Sequence, residues 1–128
     1  MPYVLNMQHR NVAFAFQKSQ WSIPEADERA CYDQAAANGW GDASSLWGIH
    51  LVQLQLEFLG HSTFPEPVAL KIAKFVTDAG GIWHGYPVAH WQSPFDKPSE
   101  TVLRAWMAAG YINRPKLARI HRGKPCKL

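Results

Sequence analysis

The sequence predicts a mainly α fold, a single compact domain of about five helices with one or two short β-strands. The length of 128 residues corresponds to one domain, which we place at residues 1–128. Hydrophobic residues make up 47% of the chain, and this fraction excludes a disordered chain because it supplies a packed interior. Several segments begin with a residue typical of a helix start and end at a glycine, and this pattern favours helices.

One short strand and one helix are predicted in the first third of the chain. Residues 11–16 alternate large and small side chains, which is typical of a strand. Pro24 suits the first turn of a helix, and the carboxylates that follow it interact favourably with the positive end of the helix dipole. This helix is expected to stop at Asn38-Gly39, which favour left-handed geometry.

The segment from Leu46 to Leu59 fits two interpretations. Apolar residues alternate with glutamine and glutamate over residues 52–58, and this alternation indicates a strand. Leucine, glutamine and glutamate are better helix formers, however, and the segment is longer than most strands. We therefore predict a second helix here. An α+β domain with residues 51–59 as a central strand is the alternative.

Three more helices and a second strand are predicted in the remaining chain. A helix over Val68–Ala79 follows Pro65-Glu66-Pro67 and ends at two glycines. A short strand covers Ile82–Val88. The next helix runs from Glu100 to Ala109 after a serine cap, and the last begins after Asn113 and ends at Gly123.

Positive charge is concentrated at the C-terminal end. Residues 1–100 contain six Lys/Arg and ten Asp/Glu, whereas residues 101–128 contain seven Lys/Arg and no carboxylate side chain. This asymmetry indicates an anionic partner for the basic segment, residues 113–128. The cations expected to contact nucleic acid there are Arg114, Lys116, Arg119, Arg122 and Lys124.

The connection Gly110-Tyr111-Ile112-Asn113 resembles the turn of a helix-turn-helix motif. Residues 117–124 are similar to the end of the helix in phage-repressor-type domains. The similarity covers only about fifteen residues, and the interval from Gly110 to Gly123 is longer than in that motif. The helix-packing pattern expected upstream is missing, so the resemblance assigns no family.

A second candidate site lies in residues 80–91, which contain two tryptophans, two histidines and three glycines. Aromatic rings with polar edges can stack on a planar ligand, and histidine can donate, accept or titrate near neutral pH. The same residues would also suit a buried aromatic core. The predicted ligand-binding residues are Trp83, His84, Tyr86, His90 and Trp91.

No metal site and no cofactor are predicted from the spacing of histidine and cysteine. The six histidines are scattered, and the two cysteines, Cys31 and Cys126, do not form a close ligand pair. We expect both thiols to be reduced, with a disulfide between them as the alternative. Basic neighbours of Cys126 would favour a thiolate, but a residue so near a chain end is poorly suited to nucleophilic catalysis.

No membrane partner is expected, and a cytoplasmic location is predicted. No apolar run approaches the roughly 20 residues that span a bilayer. Residues 1–10 do not combine a basic leader with an apolar stretch, so no signal peptide is visible.

Three functional hypotheses follow from these patterns. The leading one is a non-catalytic binding module whose basic C-terminal helix engages an anionic partner, with nucleic acid favoured. The second is a small enzyme or ligand-binding protein with a pocket around residues 83–91. The third is a protein-interaction protein of the accessory or immunity type, with exposed aromatic residues as anchors.

Overall fold

The chain has an α+β architecture, and the prediction of a mainly α fold is therefore wrong. The computed structural model describes residues 2–126 and 128. Within them the α-helices are α1 Glu25–Asn38, α2 Glu100–Ala108 and α3 Arg114–His121, and short 3-10 helices span Met7–Arg10, Val12–Phe14 and Pro94–Asp96. The strands are β1 Gln20–Trp21, β2 Ser45–Val52, β3 Gln55–Glu57, β4 Gly60–His61, β5 Ala69–Leu70, β6 Ile72–Thr77 and β7 Trp83–Val88.

The strands form two antiparallel sheets. The larger sheet has the order β3-β2-β6-β7, and the smaller has the order β1-β4-β5. In the larger sheet Phe75 pairs with Leu46 on one side and with Gly85 on the other. Because side chains alternate along a strand, Trp83 and Phe75 share one face of this sheet, whereas His84 and Tyr86 share the opposite face.

Phe75 lies at the centre of the core, and two glycines on the flanking strands leave room for its ring. A Cβ atom on Gly48 would lie 2.8 Å from the ring, and a Cβ atom on Gly85 would lie 2.2 Å from it. Any side chain at these positions would collide with the buried ring. The other aromatic neighbours of Phe75 are Tyr3, Trp21 and Tyr32, with ring centroids 5.8, 6.3 and 5.6 Å away.

The N-terminal segment lies along β7 and is attached to α1 through a buried carboxylate. Tyr3 forms a parallel bridge with Trp83. Its hydroxyl donates a hydrogen bond to Oε2 of Glu28, a residue that is 1% exposed. Arg10 donates from Nε to Oε1 of Glu28 at 2.8 Å. Its Nη2 lies 2.8 Å from the same oxygen but is not aligned for a hydrogen bond.

Four predicted elements are confirmed, and strong local signals set their ends. α1 ends at Gly39, which has a φ of 64° in the left-handed region. Ser99 caps α2 by accepting from the Val102 N–H, and Asn113 caps α3 by accepting from the Lys116 N–H. The strand predicted over Ile82–Val88 is β7.

Three predicted elements are wrong. Residues 11–16 contain a 3-10 helix and no strand. The helix predicted over Val68–Ala79 is replaced by β5 and β6, because pairing with β2 and β7 outweighs the helix propensity of alanine and lysine. The helix predicted over Leu46–Leu59 is the β2–β3 hairpin. The alternative is right in its α+β class but wrong in its central strand over residues 51–59, because the chain turns within that range.

The turn of the β2–β3 hairpin carries residues that are unusual for its geometry. Gln53 and Leu54 have φ values of 52° and 67°. A two-residue hairpin turn of type I′ needs positive φ at both positions and is normally made by Asn-Gly. Leu54 is also 79% exposed, so its side chain gains little from packing. The absence of a turn signal at these positions explains why the sequence favoured a continuous helix.

No helix in the part of the chain that the structure describes is long and apolar enough to cross a membrane. The longest of them is α1, with 14 residues. This length is below the roughly 20 residues that a bilayer-spanning helix needs.

Replacing Gln53 by Asn together with Leu54 by Gly should stabilise the protein. Each left-handed non-glycine residue costs about 1 kcal/mol, so the double variant should raise the free energy of unfolding by about 1–2 kcal/mol. Urea denaturation monitored by tryptophan fluorescence measures this change. The control Leu54→Ala keeps the positive φ and should remain within about 0.5 kcal/mol of wild type. A double variant no more stable than wild type would show that the positive φ values of Gln53 and Leu54 do not strain the hairpin.

Candidate functional site

The structure places the predicted ligand-binding residues in three different surroundings. Trp83 is buried, and its ring centroid lies 5.8 Å from that of Tyr32 in α1. His84 and Tyr86 project from the opposite face of β7. His90 and Trp91 follow the end of β7 and approach the C-terminal tail. The stretch 83–91 therefore does not form one pocket.

A polar cavity of about 530 Å³ lies beside the face of β7 that carries His84 and Tyr86. The N-terminal segment, the chain before β1, the chain after β4, strands β5 and β6 and the chain after β7 also contribute to its walls. We use the name polar cavity for this space. Its polar lining residues are Asn6, His9, Gln17, Lys18, Ser19, Ser62, Thr63, His84, Tyr86, Gln92 and Asp96.

His9 is held in one orientation in the wall of the polar cavity. The residue is 7% exposed, and its Nδ1 lies 2.8 Å from the Ser19 carbonyl oxygen. A carbonyl oxygen only accepts, so Nδ1 carries the proton and Nε2 remains an acceptor. Ser19 is itself fixed, because its hydroxyl donates to the Pro87 carbonyl at 2.7 Å. Burial lowers the pKa of His9, which favours the neutral ring.

Tyr86 and Asp96 add a phenol and a carboxyl group to the same cavity. The ring of Tyr86 stacks on that of His9, with centroids 5.2 Å apart and planes at 16°. Burial raises the pKa of Tyr86, and the Asp96 carboxylate adds to that rise. Burial also raises the pKa of Asp96, against the effect of Lys74. The Asp96 backbone is anchored, because Trp47 Nε1 donates to its carbonyl at 3.1 Å.

His84 stands at the edge of the polar cavity and is tied to the N-terminal segment. Its Nδ1 lies 3.1 Å from the carbonyl oxygen of Val4, so Nδ1 donates to that oxygen. Its Nε2 lies 3.7 Å from a carboxylate oxygen of Asp78. Both ring nitrogens thus have neighbours in the protein, which leaves His9 as the better candidate for contact with a ligand.

A separate apolar groove of about 670 Å³ contains the other two predicted residues, His90 and Trp91. Its lining also includes Phe58 and Val68, which are about half exposed, together with Lys71 at the margin. His90 is buried, and its Nε2 donates to the Lys124 carbonyl at 2.7 Å. We call this space the apolar groove. The bond from His90 to the tail helps to form its wall.

The two cysteines differ in burial and lie in different parts of the molecule. Both thiols are free, and Cys31 is fully buried in α1, where burial raises its pKa to about 12. Cys126 is half buried beside the apolar groove. Burial raises its pKa although Arg119 and Lys116 oppose the rise. The raised pKa values favour the protonated thiol at both cysteines.

The basic residues predicted to bind nucleic acid lie on and just after α3. Lys116 is half buried, and the other four are exposed. Lys127, in the same segment, lies outside the described residues. The opposite side of α3 packs into the core through Leu117 and Ile120. We define the basic surface as Arg114, Lys116, Arg119, Arg122 and Lys124.

No carboxylate in the part of the chain that the structure describes forms an ion pair with the basic surface. The nearby acid Glu100 pairs with Arg104 at 2.8 Å, four residues further along α2. Arg119 donates from Nε to the Pro125 carbonyl at 3.0 Å, a contact that orients the guanidinium without neutralising it. The charge of this surface is therefore uncompensated within the described residues.

An exposed aromatic residue lies in the turn that is tied to the end of α3. Phe95 lies in the 3-10 helix Pro94–Asp96 and is 78% exposed. Two residues later, Lys97 donates from Nζ to the carbonyl of His121 at 2.7 Å, which ties this turn to the end of α3. The turn thus places Lys97 beside the end of α3 and carries an exposed aromatic ring two residues before it.

Sequence reasoning missed the roles of His9, Asp96 and Phe95. A basic pair such as His9-Arg10 before a predicted strand is typically solvated, but both side chains are largely buried. The partners of His9 are distant in sequence, with Tyr86 contributed by β7. Only the position of Phe95 in a loop rich in turn formers carried a local signal. Within residues 2–126 and 128, no group of three or more metal-ligating side chains is present.

Two buried histidines should make the protein less stable in mild acid. Burial lowers the pKa of both His9 and His90 below the value of about 6.5 expected in the unfolded chain. Their contribution is therefore present above pH 6.5 and is lost as the pH falls through the lowered values. Each can change the free energy of unfolding by at most about 1.4 kcal/mol per pH unit.

The variant His9→Asn isolates this effect, because the amide can still donate to the Ser19 carbonyl but does not titrate. Urea denaturation of wild type and variant between pH 7.5 and 5 should give a shallower loss of stability for the variant. The raised pKa values of Glu28 and Asp96 act in the opposite direction and are common to both proteins. Equal slopes of the free energy of unfolding against pH in the two proteins would show that folding does not change the pKa of His9.

Comparison of the chain with protein-family models, with curated proteins and with solved structures gives no match.

Proposed function

We propose that the protein is a nucleic-acid-binding module that contacts phosphate groups through the basic surface of α3. The observation that supports this most strongly is the set of five cations there without a carboxylate partner among the described residues. Lysine and arginine side chains neutralise the phosphate groups of nucleic acid, and this neutralisation releases counterions.

The spacing of the cations suits an extended phosphate backbone. Lys116, Arg119 and Arg122 follow one another at intervals of three residues, so they lie along one side of α3 and its C-terminal cap. The Pro125 carbonyl holds Arg119 through Nε, which leaves the terminal nitrogens of the guanidinium free for a phosphate. Because the helix packs through its other side, its binding surface is supported by the core.

Phe95 favours a single strand over a duplex. Bases in a single strand are open to stacking, and an exposed aromatic ring beside a basic groove is the usual platform for it. Phe95 belongs to the turn that Lys97 ties to His121 at the end of α3, and its ring is exposed. We therefore propose single-stranded DNA or RNA as the preferred partner.

Fluorescence anisotropy with labelled single- and double-stranded oligonucleotides across a salt series tests this function. Each phosphate contact contributes about 0.7 to the slope of log K against log salt for a single strand. The variant Arg119→Ala/Arg122→Ala should therefore bind more weakly and give a slope shallower by about 1.4. The variant Phe95→Ala should lose about 1–3 kcal/mol of binding free energy with the slope unchanged.

The matched control is Lys18→Ala/Arg29→Ala, which removes the same charge from exposed positions outside the basic surface. It should retain the wild-type slope. Absence of binding by wild type at low salt would refute the proposed function. Equal losses in the two double variants would show that net charge, and not the basic surface, is responsible.

A further inference from the structure

The polar cavity has the features of a ligand site that is separate from the basic surface. Its volume of about 530 Å³ falls within the range of small-molecule pockets. The polar groups that line it come from the N-terminal segment, the chain before β1, the chain after β4, β7 and the turn after β7. Convergence of polar groups from distant parts of a chain on one cavity is what a built site requires.

His9 is the most constrained of these groups. A residue that is 93% buried keeps one ring nitrogen bonded to a backbone carbonyl, while Nε2 has no hydrogen-bond partner among the described residues. Nε2 is not one of the fully buried side-chain atoms that lack a partner, so it is reached from the polar cavity and can accept from a ligand hydroxyl. The bond from Nδ1 to Ser19 fixes the ring, so the acceptor needs no reorientation when a ligand binds.

Tyr86 and Asp96 complete a set of groups that suits hydroxyls. The Tyr86 hydroxyl, which has no hydrogen-bond partner among the described residues, can donate or accept. The Asp96 carboxylate accepts only, and the side-chain amides of Gln17 and Gln92 do both. Adjacent hydroxyls of one ligand suit such a set, because each hydroxyl can donate one hydrogen bond to an acceptor in the cavity and accept another from a donor there.

The chemistry of the lining excludes two other ligand classes. An anion would face the Asp96 carboxylate across a cavity whose only lysine, Lys18, is exposed to solvent. An apolar ligand would leave His9 Nε2 and the Tyr86 hydroxyl desolvated without partners. An uncharged ligand rich in hydroxyl groups avoids both costs.

We propose that the polar cavity binds an uncharged polyhydroxylated ring, with His9 Nε2 accepting a hydrogen bond from one of its hydroxyls. The ring is a sugar, either free in a saccharide or as the ribose of a nucleoside. The remaining hydroxyls contact Asp96, Tyr86 and the amide side chains. This inference does not depend on nucleic-acid binding, because the basic surface contributes no residue to the polar cavity.

Ligand-observed saturation-transfer NMR and isothermal titration calorimetry on the intact protein test the site, with D-ribose, adenosine and maltose as probes. At least one probe should bind to wild type and shift the ring signals of His9. Binding of ribose and adenosine alone assigns the ribose of a nucleoside, and binding of maltose alone assigns a saccharide. No binding of any probe up to its solubility limit would overturn the proposal.

Two variants test the named contacts. His9→Asn keeps the donor to Ser19 but lacks an acceptor at the position of Nε2, and Tyr86→Phe keeps the stacked ring but lacks the hydroxyl. Each should weaken binding by about tenfold, the usual consequence of leaving a polar partner unsatisfied. Because Tyr86→Phe removes a single oxygen, it keeps the test valid if His9→Asn is unstable.

His90→Gln is the matched control. It alters the other buried histidine that bonds to a backbone carbonyl, but one that lies in the apolar groove. Its amide can still donate to the Lys124 carbonyl, so the affinity for the probe should equal that of wild type. Wild-type affinity in both His9→Asn and Tyr86→Phe, or an equal loss in His90→Gln, would overturn the assignment.

Discussion

The arrangement of the N-terminal half depends on satisfying one buried carboxylate. Burial raises the pKa of Glu28, and the hydrogen bonds from Tyr3 and Arg10 act against that rise. A buried ion pair adds little net stability, but loss of one partner leaves a desolvated charge and is strongly destabilising. The chain must therefore bring both partners to α1. This requirement fixes the course of residues 3–10, and it places His9, next to Arg10, against Tyr86.

The pleat of β7 then separates the chemistry of the molecule into distinct regions. Trp83 and Gly85 face the aromatic core around Phe75, where a larger side chain than glycine would not fit. The alternate residues face the polar cavity, and the chain beyond the strand borders the apolar groove. The basic surface lies on and just after α3, and none of its five residues lines either space. Arg119 and Lys116 affect only the pKa of Cys126 at the margin of the apolar groove. A ligand in the polar cavity and a phosphate chain on α3 would therefore use different residues.

The sequence predicts correctly the elements whose ends carry local signals. It does not predict the elements whose secondary structure depends on pairing with strands that are distant in sequence. α1, α2 and α3 were predicted because caps and glycines mark their limits within a few residues. β6 was predicted as a helix, since its strand state comes from pairing with β2 and β7 and not from its composition. The hairpin was missed because Gln53-Leu54 gives no turn signal. The basic surface was visible as a run of cations. The polar cavity was not, because its central pair joins His9 to a residue in β7.

The most direct test of this account is a long-range ¹H–¹⁵N correlation spectrum of the histidine rings, recorded for wild type and for Glu28→Gln. The account predicts a neutral His9 with its proton on Nδ1 at pH 6.5, and a neutral His90 with its proton on Nε2. Glu28→Gln should abolish the fixed tautomer of His9 and leave that of His90 unchanged. A wild-type His9 protonated on Nε2, or a His9 unaffected by Glu28→Gln in a folded variant, would contradict the claim that the buried carboxylate positions the site.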